Sequence, residues 1–347
     1  MNATRSISLL NRSVPQAHHL RAEEEIMRAI AAILALAASA AIAQPTPEQT
    51  LSAVVAVNAK ISQGARSAAT LGMQRRGSGA LIGQGYVLTI GYLVIESEAI
   101  EVVGAGGRTV PARLAGYDHA SGFGLLRLLA PLEGTPLALG DSAALAEREP
   151  AMVVSAPGRE GATIVYVVSR RPFSGSWEYH LDSAIFTYPA VPEWSGAPLI
   201  SAKGELVGVG SLIVADAGAP GMQAPGNMFV PIDLLKPILR DLIDQGRRSG
   251  PSRPWLGVNA DEVRGRLFVS RLSADGPAER AGLQANDIVL AVGGEEVTTL
   301  AEFYRKVWSR GAAGVEVPLK ILRGAQVREL TVRSIDRARY FEGSKTH

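Results

Sequence analysis

No cysteine occurs anywhere in the 347 residues, which excludes disulfide bridges, thiolate metal sites and a cysteine nucleophile. An excess of either charge is missing too. The 35 basic and 33 acidic residues leave a formal +2, and no basic block or basic-aromatic interleaving appears, so the footprint of a nucleic-acid binder is absent. Histidine is scarce, with five in all, and beyond residue 43 it is found only at 119, 180 and 347. Histidine and carboxylate spacings nowhere suggest a metal site, and no cofactor is implied. What is abundant is ordinary globular material, 47% hydrophobic and 20% charged, enough for two or three domains with cores of their own.

The amino-terminal segment carries the pattern of an export signal. Arg28 precedes the apolar run 29–38, and Ala41-Ile42-Ala43 supplies the small residues of a cleavage site, so cleavage near Ala43 is expected. A membrane span is the competing reading, but the run is nearer fifteen residues than the roughly 20 that cross a bilayer, leaving no stable span after signal removal. Glu23-Glu24-Glu25 places acid where such a signal wants base, so translation is expected to start at Met27 rather than Met1.

Beyond a short Pro-containing leader the chain reads as many short strands separated by glycine turns. They include Ala80-Leu81-Ile82 and Tyr86–Thr89 around Gly83-Gln84-Gly85, then 100–103, 110–114, 124–128, 151–154, 164–168, 185–188, 199–200, 206–211 and 228–230, the pattern of an all-β sandwich or barrel. A helical spacing of leucine and isoleucine over Ile232–Ile243, stopped by Gly246, should close it. Arg247–Arg253 is polar and rich in breakers and reads as a solvated linker. The following segment, about ninety residues, has its own strand and helix pattern.

Several motifs occur in an order that resembles the HtrA/DegP family of trypsin-like proteases with a PDZ domain. They are Gly77-Ser78-Gly79, Leu139-Gly140-Asp141-Ser142, Glu193-Trp194-Ser195-Gly196-Ala197-Pro198-Leu199, Gly204-Glu205-Leu206-Val207-Gly208 and Phe229-Val230-Pro231. The resemblance implies a mainly β fold, a trypsin-like double β-barrel over 44–246, followed after linker 247–253 by a small α/β PDZ domain over 254–335 and a tail over 336–347. It also implies residence in the periplasm.

By the same resemblance Ser195 stands where the family has its nucleophile, Tyr92 where it has the histidine base, and Gly122 where it has the aspartate that orients that base. Serine attack on a peptide needs both partners. A phenol with a pKa near 10 is a poor acceptor at neutral pH. Glu193 replaces the glycine whose amide helps to hold the oxyanion, and its carboxylate would repel one. A rearranged pair using His119 or His180 is the alternative; His119 also reads as a solvated loop imidazole, and His180 as part of a surface loop or a cover over the cleft.

The PDZ part rests on Gly276-Pro277-Ala278-Glu279-Arg280-Ala281-Gly282-Leu283, continued through Asp287 to Gly294. A PDZ domain takes an extended peptide as an added strand and captures its carboxylate on loop amides. By resemblance that loop is Trp255-Leu256-Gly257-Val258. On the helix 300–308, Leu300, Phe303 and Val307 share a core face, while Tyr304 and Trp308 are candidates for side-chain pockets.

Two functions follow as expectations. One is a pseudoprotease that binds unfolded polypeptides or protein carboxyl termini in protein quality control or regulation. The other is a serine endopeptidase degrading misfolded periplasmic proteins through Ser195. A homo-oligomer is compatible with the family, although no aromatic-rich contact is evident in 44–70, and a monomer is equally open.

Overall fold

The computed structural model describes residues 45–342 apart from 84, 157, 158, 220 and 222. The export signal, the start at Met27 and His347 lie outside the described residues. No helix among those described is long and apolar enough to cross a membrane.

Six strands close the first barrel: β1 (Val54–Ile61), β2 (Gln74–Gly83), β3 (Tyr86–Ile90), β4 (Ser97–Val103), β5 (Thr109–Tyr117) and β6 (Phe123–Leu128), in the order β1-β2-β3-β6-β5-β4. Pairing of β1 with β4 shuts the ring. Alternation explains which way each strand faces: Ile100 and Val102 of β4 point inward between exposed Glu98, Ala99 and Glu101, as a strand with one wet face requires.

The second barrel repeats the plan with β7 (Pro150–Val154), β8 (Ala162–Gly175), β9 (Tyr179–Tyr188), β10 (Pro198–Ile200), β11 (Leu206–Val214) and β12 (Gly226–Pro231), closed by the pairing of β10 with β7. Its interior is filled by small and branched side chains such as Val153, Val167, Leu199 and Val207 around Phe229. The short strands expected from the sequence are all present. Two are much longer than expected: β8 and β9 run on as a two-stranded arm reaching Gly175 and Tyr179. Pro172, with no N–H to give, sits at a bulge in this arm. Phe173 packs there beside Trp177, Tyr179 and Phe186.

The expected helix after the barrel is broken in two. A 3₁₀ turn at Ile232–Leu234 is followed by the helix Leu239–Gln245, and Pro237, which cannot donate to a preceding carbonyl, lies between them. Gly246 ends the second piece in the left-handed region at φ 74°, as expected of a helix-terminating glycine.

The linker is exposed along most of its length, as expected of a solvated connector, but it is anchored at two points. Arg248 makes a two-pronged ion pair with buried Asp118, Nε to Oδ1 at 3.1 Å and a terminal nitrogen to Oδ2 at 2.9 Å. Arg253 lies over the Trp308 ring, 4.3 Å from its centroid.

The last unit is a sheet in the order β13-β14-β15-β17-β18, formed by β13 (Val258–Val263), β14 (Arg266–Leu272), β15 (Ile288–Val292), β17 (Glu316–Arg323) and β18 (Gln326–Arg333), with β16 (Glu295–Glu296) pairing β15. Helix α1 (Leu300–Trp308) covers it, started by a reciprocal cap in which Thr299 and Glu302 bond each other's backbone amides. Leu300, Phe303 and Val307 are buried, as their shared face requires, and so is Tyr304. The segment beyond 335 begins with a helix, α2 (Arg337–Glu342), whose Tyr340 packs on Trp255 with ring centroids 4.7 Å apart.

Candidate functional site

Ser195 sits in the loop between β9 and β10, pinned to β2. The Ser78 amide donates to the Ser195 carbonyl at 2.8 Å, and the Gly196 amide donates to the Gly210 carbonyl at 2.9 Å. The approach is too close for side chains. A Cβ on Gly77 would fall 2.5 Å from the Ser195 carbonyl oxygen, and one on Gly196, at φ 72°, would fall 2.1 Å from that of Ser78. The glycines of both motifs thus serve one contact between the barrels.

Tyr92 reaches the same point from a 3₁₀ turn (Gly91–Leu93) after β3. Arg75 donates to its backbone carbonyl at 2.7 Å and anchors the turn. The phenol oxygen lies 2.5 Å from Ser195 Oγ and 2.9 Å from the Ser211 carbonyl oxygen. That carbonyl can only accept, so the single phenol proton goes to it and Ser195 donates its own proton to the phenol oxygen. Burial outweighs the hydrogen bonds to Ser195 and Trp194 and pushes the Tyr92 hydroxyl up to about 12. It remains a neutral phenol at neutral pH, with no capacity to withdraw the serine proton.

Gly122 adopts φ 84°, and a Cβ there would meet the Tyr179 ring and hydroxyl and Ile90. Tyr179 fills this neighbourhood with its hydroxyl donated to the Ser121 carbonyl at 2.6 Å. No carboxylate reaches Tyr92 among the described residues. The Glu193 side chain is exposed, and its carbonyl accepts from Ser155 Oγ at 2.7 Å.

Neither described imidazole is bonded to Ser195. His119 is not solvated: it packs edge-on against Tyr117 at 4.3 Å between centroids and stacks with Phe341 at 6.0 Å. Its Nδ1 finds no hydrogen-bond partner among the described residues. Burial, helped by Arg337, holds it down to about 3. His180 is buried in the arm, 2.8 Å from Ser174 Oγ through Nδ1 and 3.0 Å from an Arg305 donor through Nε2. Asp182 Oδ1 lies 3.2 Å from the same Nε2, so a donor and an acceptor both face that nitrogen, and the Ser174 hydroxyl can serve either tautomer. The imidazole therefore joins the arm to α1 instead of covering the cleft.

The carboxylate loop presents three amides to one acceptor. Leu256, Gly257 and Val258 N–H groups donate to the side-chain carboxylate of Glu178, at 3.0, 2.6 and 2.8 Å for their shortest contacts. Glu178 stands at the tip of the β8–β9 arm. Its amide donates to the Tyr304 hydroxyl at 3.2 Å, and that hydroxyl donates to the Gly175 carbonyl at 2.7 Å. Burial pushes the Glu178 carboxyl up to about 6, against the opposing pull of the three amides and Arg337.

The structure thus brings Leu256, Gly257, Val258 and Tyr304 together. Trp255 turns onto Tyr340, while Trp308 stacks on the Tyr304 ring, centroids 5.7 Å apart, and lies beneath Arg253. Sequence reasoning missed Glu178, because no spacing links residue 178 to residues 256–258. Among the described residues no cluster of histidine, aspartate and glutamate could hold a metal ion.

Two family models match the chain: a trypsin-like peptidase domain over residues 77–209 and a PDZ domain over 254–333. The probable periplasmic serine protease do/HhoA-like of Haemophilus influenzae is 28% identical over 276 residues, 74% of this chain and 57% of the relative. The probable periplasmic serine endoprotease DegP-like of Halomonas elongata is 30% identical over 272 residues, 74% of this chain and 55% of the relative. The chain therefore spans little more than half the length of these relatives. Among solved structures, the HtrA-type protease AlgW with decapeptide superposes with a TM-score of 0.51 at 21% identity, covering 84% of this chain and 99% of that one.

Proposed function

The chain is an HtrA-like, trypsin-fold protein with a carboxy-terminal PDZ domain, and from that premise we propose that it is a periplasmic pseudoprotease that holds polypeptide segments or protein carboxyl termini without cutting them. The observation that carries this reading is the Ser195–Tyr92 pair. The serine proton is given to a phenol whose own proton is spent on the Ser211 carbonyl. Nothing bonded to Ser195 Oγ can take that proton, so the alkoxide needed for attack on a carbonyl is not generated.

The binding half of the proposal is supported by the three convergent amides of Leu256, Gly257 and Val258, which accommodate a carboxylate. Its location is supported by the relatives, which are periplasmic serine proteases.

The test is a serine-directed phosphonate probe applied to residues 44–347 beside Ser195→Ala, together with an unstructured protein substrate. We expect no labelling and no cleavage in either protein. Labelling that vanishes in Ser195→Ala, with turnover of the substrate, would establish the endopeptidase reading instead.

A further inference from the structure

The arm formed by β8 and β9 ends in a place where a peptide ligand belongs. In the sheet order β13 is an edge strand, and among the described residues no other strand pairs with its side away from β14. The arm tip lies against that edge. The Ala260 amide donates to the Ser176 carbonyl at 3.0 Å, while the Val258 amide donates to the Glu178 carboxylate at 2.8 Å. One main-chain bond at 176 and 260 and one side-chain carboxylate at 178 and 258 thus run antiparallel along the edge, in the sense in which a peptide and its terminal carboxylate would lie. On the far side Tyr304 of α1 binds both ends of the tip, at Gly175 and Glu178.

Glu178 is held with φ 54°, in the left-handed region that an ordinary side chain avoids. Its carboxylate meets the amides that a chain terminus would meet, although the chain does not end there. Arg305 reinforces the contact by donating to Asp182 at 2.7 Å and to His180 at 3.0 Å on the same arm.

We infer that the peptide groove between β13 and α1 is occupied in cis by residues 175–178, with the Glu178 side chain standing in for a ligand's terminal carboxylate, so that an external carboxyl terminus binds only by displacing the arm of the barrel. The PDZ groove is then a clasp closed on its own barrel, and its external partner is a free apolar chain terminus able to compete with a tethered carboxylate. Displacement would free the arm, so binding at the groove and release of the barrel are one event. This inference rests on the peptide-binding reading of the groove, and its test keeps the two separable.

The full chain is compared with Glu178→Ala and with Ser176→Cys/Ala260→Cys, a pair that is clean to oxidise because the chain has no other cysteine. Amide hydrogen exchange over 256–260 reports the clasp without any ligand. Binding of a fluorescent decapeptide with a free apolar carboxyl terminus, and of its amidated form, reports competition. Faster exchange at 256–260 in Glu178→Ala, with the cores of both barrels still protected, is expected. The same variant should bind the free-acid peptide about tenfold tighter or more, as removal of a competing closed state requires. The oxidised cysteine pair should not bind it until reduced. Equal exchange, or wild type binding as tightly as Glu178→Ala, overturns cis occupancy. Opened amides in Glu178→Ala with no peptide bound by any form would leave the clasp standing and overturn the competition, and with it the peptide-binding reading.

Discussion

Tyr92 and Ser195 share a hydrogen bond of 2.5 Å in which the serine is the donor, because the phenol proton is committed to the Ser211 carbonyl. The pair joins the two barrels at the point where a protease of this fold would place its base. On the proposed pseudoprotease reading, peptide cleavage requires replacing the acceptor and then orienting it. Tyr92→His alone should recover little, since losing the orienting aspartate costs on the order of 10⁴ in turnover in a serine protease. Tyr92→His with Gly122→Asp should exceed the single variant in phosphonate labelling rate. Equal rates for the two would show that the space beside Gly122, bordered by Tyr179, does not admit a working carboxylate.

Arg248 should contribute to stability despite lying in the linker. Asp118 is buried at 5% side-chain exposure, whereas Arg248 is 43% exposed. Arg248→Ala strands a buried carboxylate that keeps its bonds to the Ser121 amide and hydroxyl. A loss of about 1–2 kcal/mol is expected, below the roughly 3–5 of a fully buried pair because solvent screens the arginine. Urea denaturation of the variant beside wild type measures it, and raised salt should shrink the difference.

Acid should destabilise the protein through His119. Its folded value is depressed to about 3 from an ordinary 6.5, so the unfolded chain binds the proton first. The contribution is fully present above about pH 6.5 and is lost progressively as pH falls toward 3. Glu178, raised to about 6 from 4.5, acts in the opposite sense, favouring the folded state below about 4.5 and losing that contribution as pH rises through 6. The comparison that isolates the histidine is wild type against His119→Phe, which keeps a ring between Tyr117 and Phe341. The urea midpoint of the variant should fall less steeply between pH 6.5 and 4.

Gly77→Ala tests the contact between the barrels. The added methyl would meet the Ser195 carbonyl oxygen and Leu93 at 2.5 Å each, and relieving such overlap costs about 1–3 kcal/mol. A lowered melting temperature is expected. An unchanged one would show that the serine loop can move away from β2 without loss.

Local pattern carried much of the architecture. The alternation in β4 and β17 and the glycine turns made the barrels and the carboxy-terminal sheet legible, since a strand with one wet face must alternate. The loop of residues 255–258 was legible only by resemblance, and two of the six residues named for the groove make ring contacts that no spacing announced, Trp255 with Tyr340 and Trp308 with Tyr304 and Arg253. The arm was missed because Pro172 and Gly175 are breakers by any local rule. What extends the strands past them is the aromatic packing around Phe173 and the hold of the carboxy-terminal unit on the tip.

By itself the sequence determined the succession of strands, the breaker-rich boundary before a carboxy-terminal unit and the absence of thiol chemistry, because these depend on periodicity and composition along the chain; the double barrel and the PDZ unit were implied by resemblance. The tertiary structure alone decided where the protons and carboxylates go: that the Ser195 hydroxyl meets a phenol instead of an imidazole, and that Glu178 lies on amides 78 to 80 residues away in the chain. Such contacts depend on distances in space across closed barrels and a crossing arm. No pattern between neighbours in the chain records them.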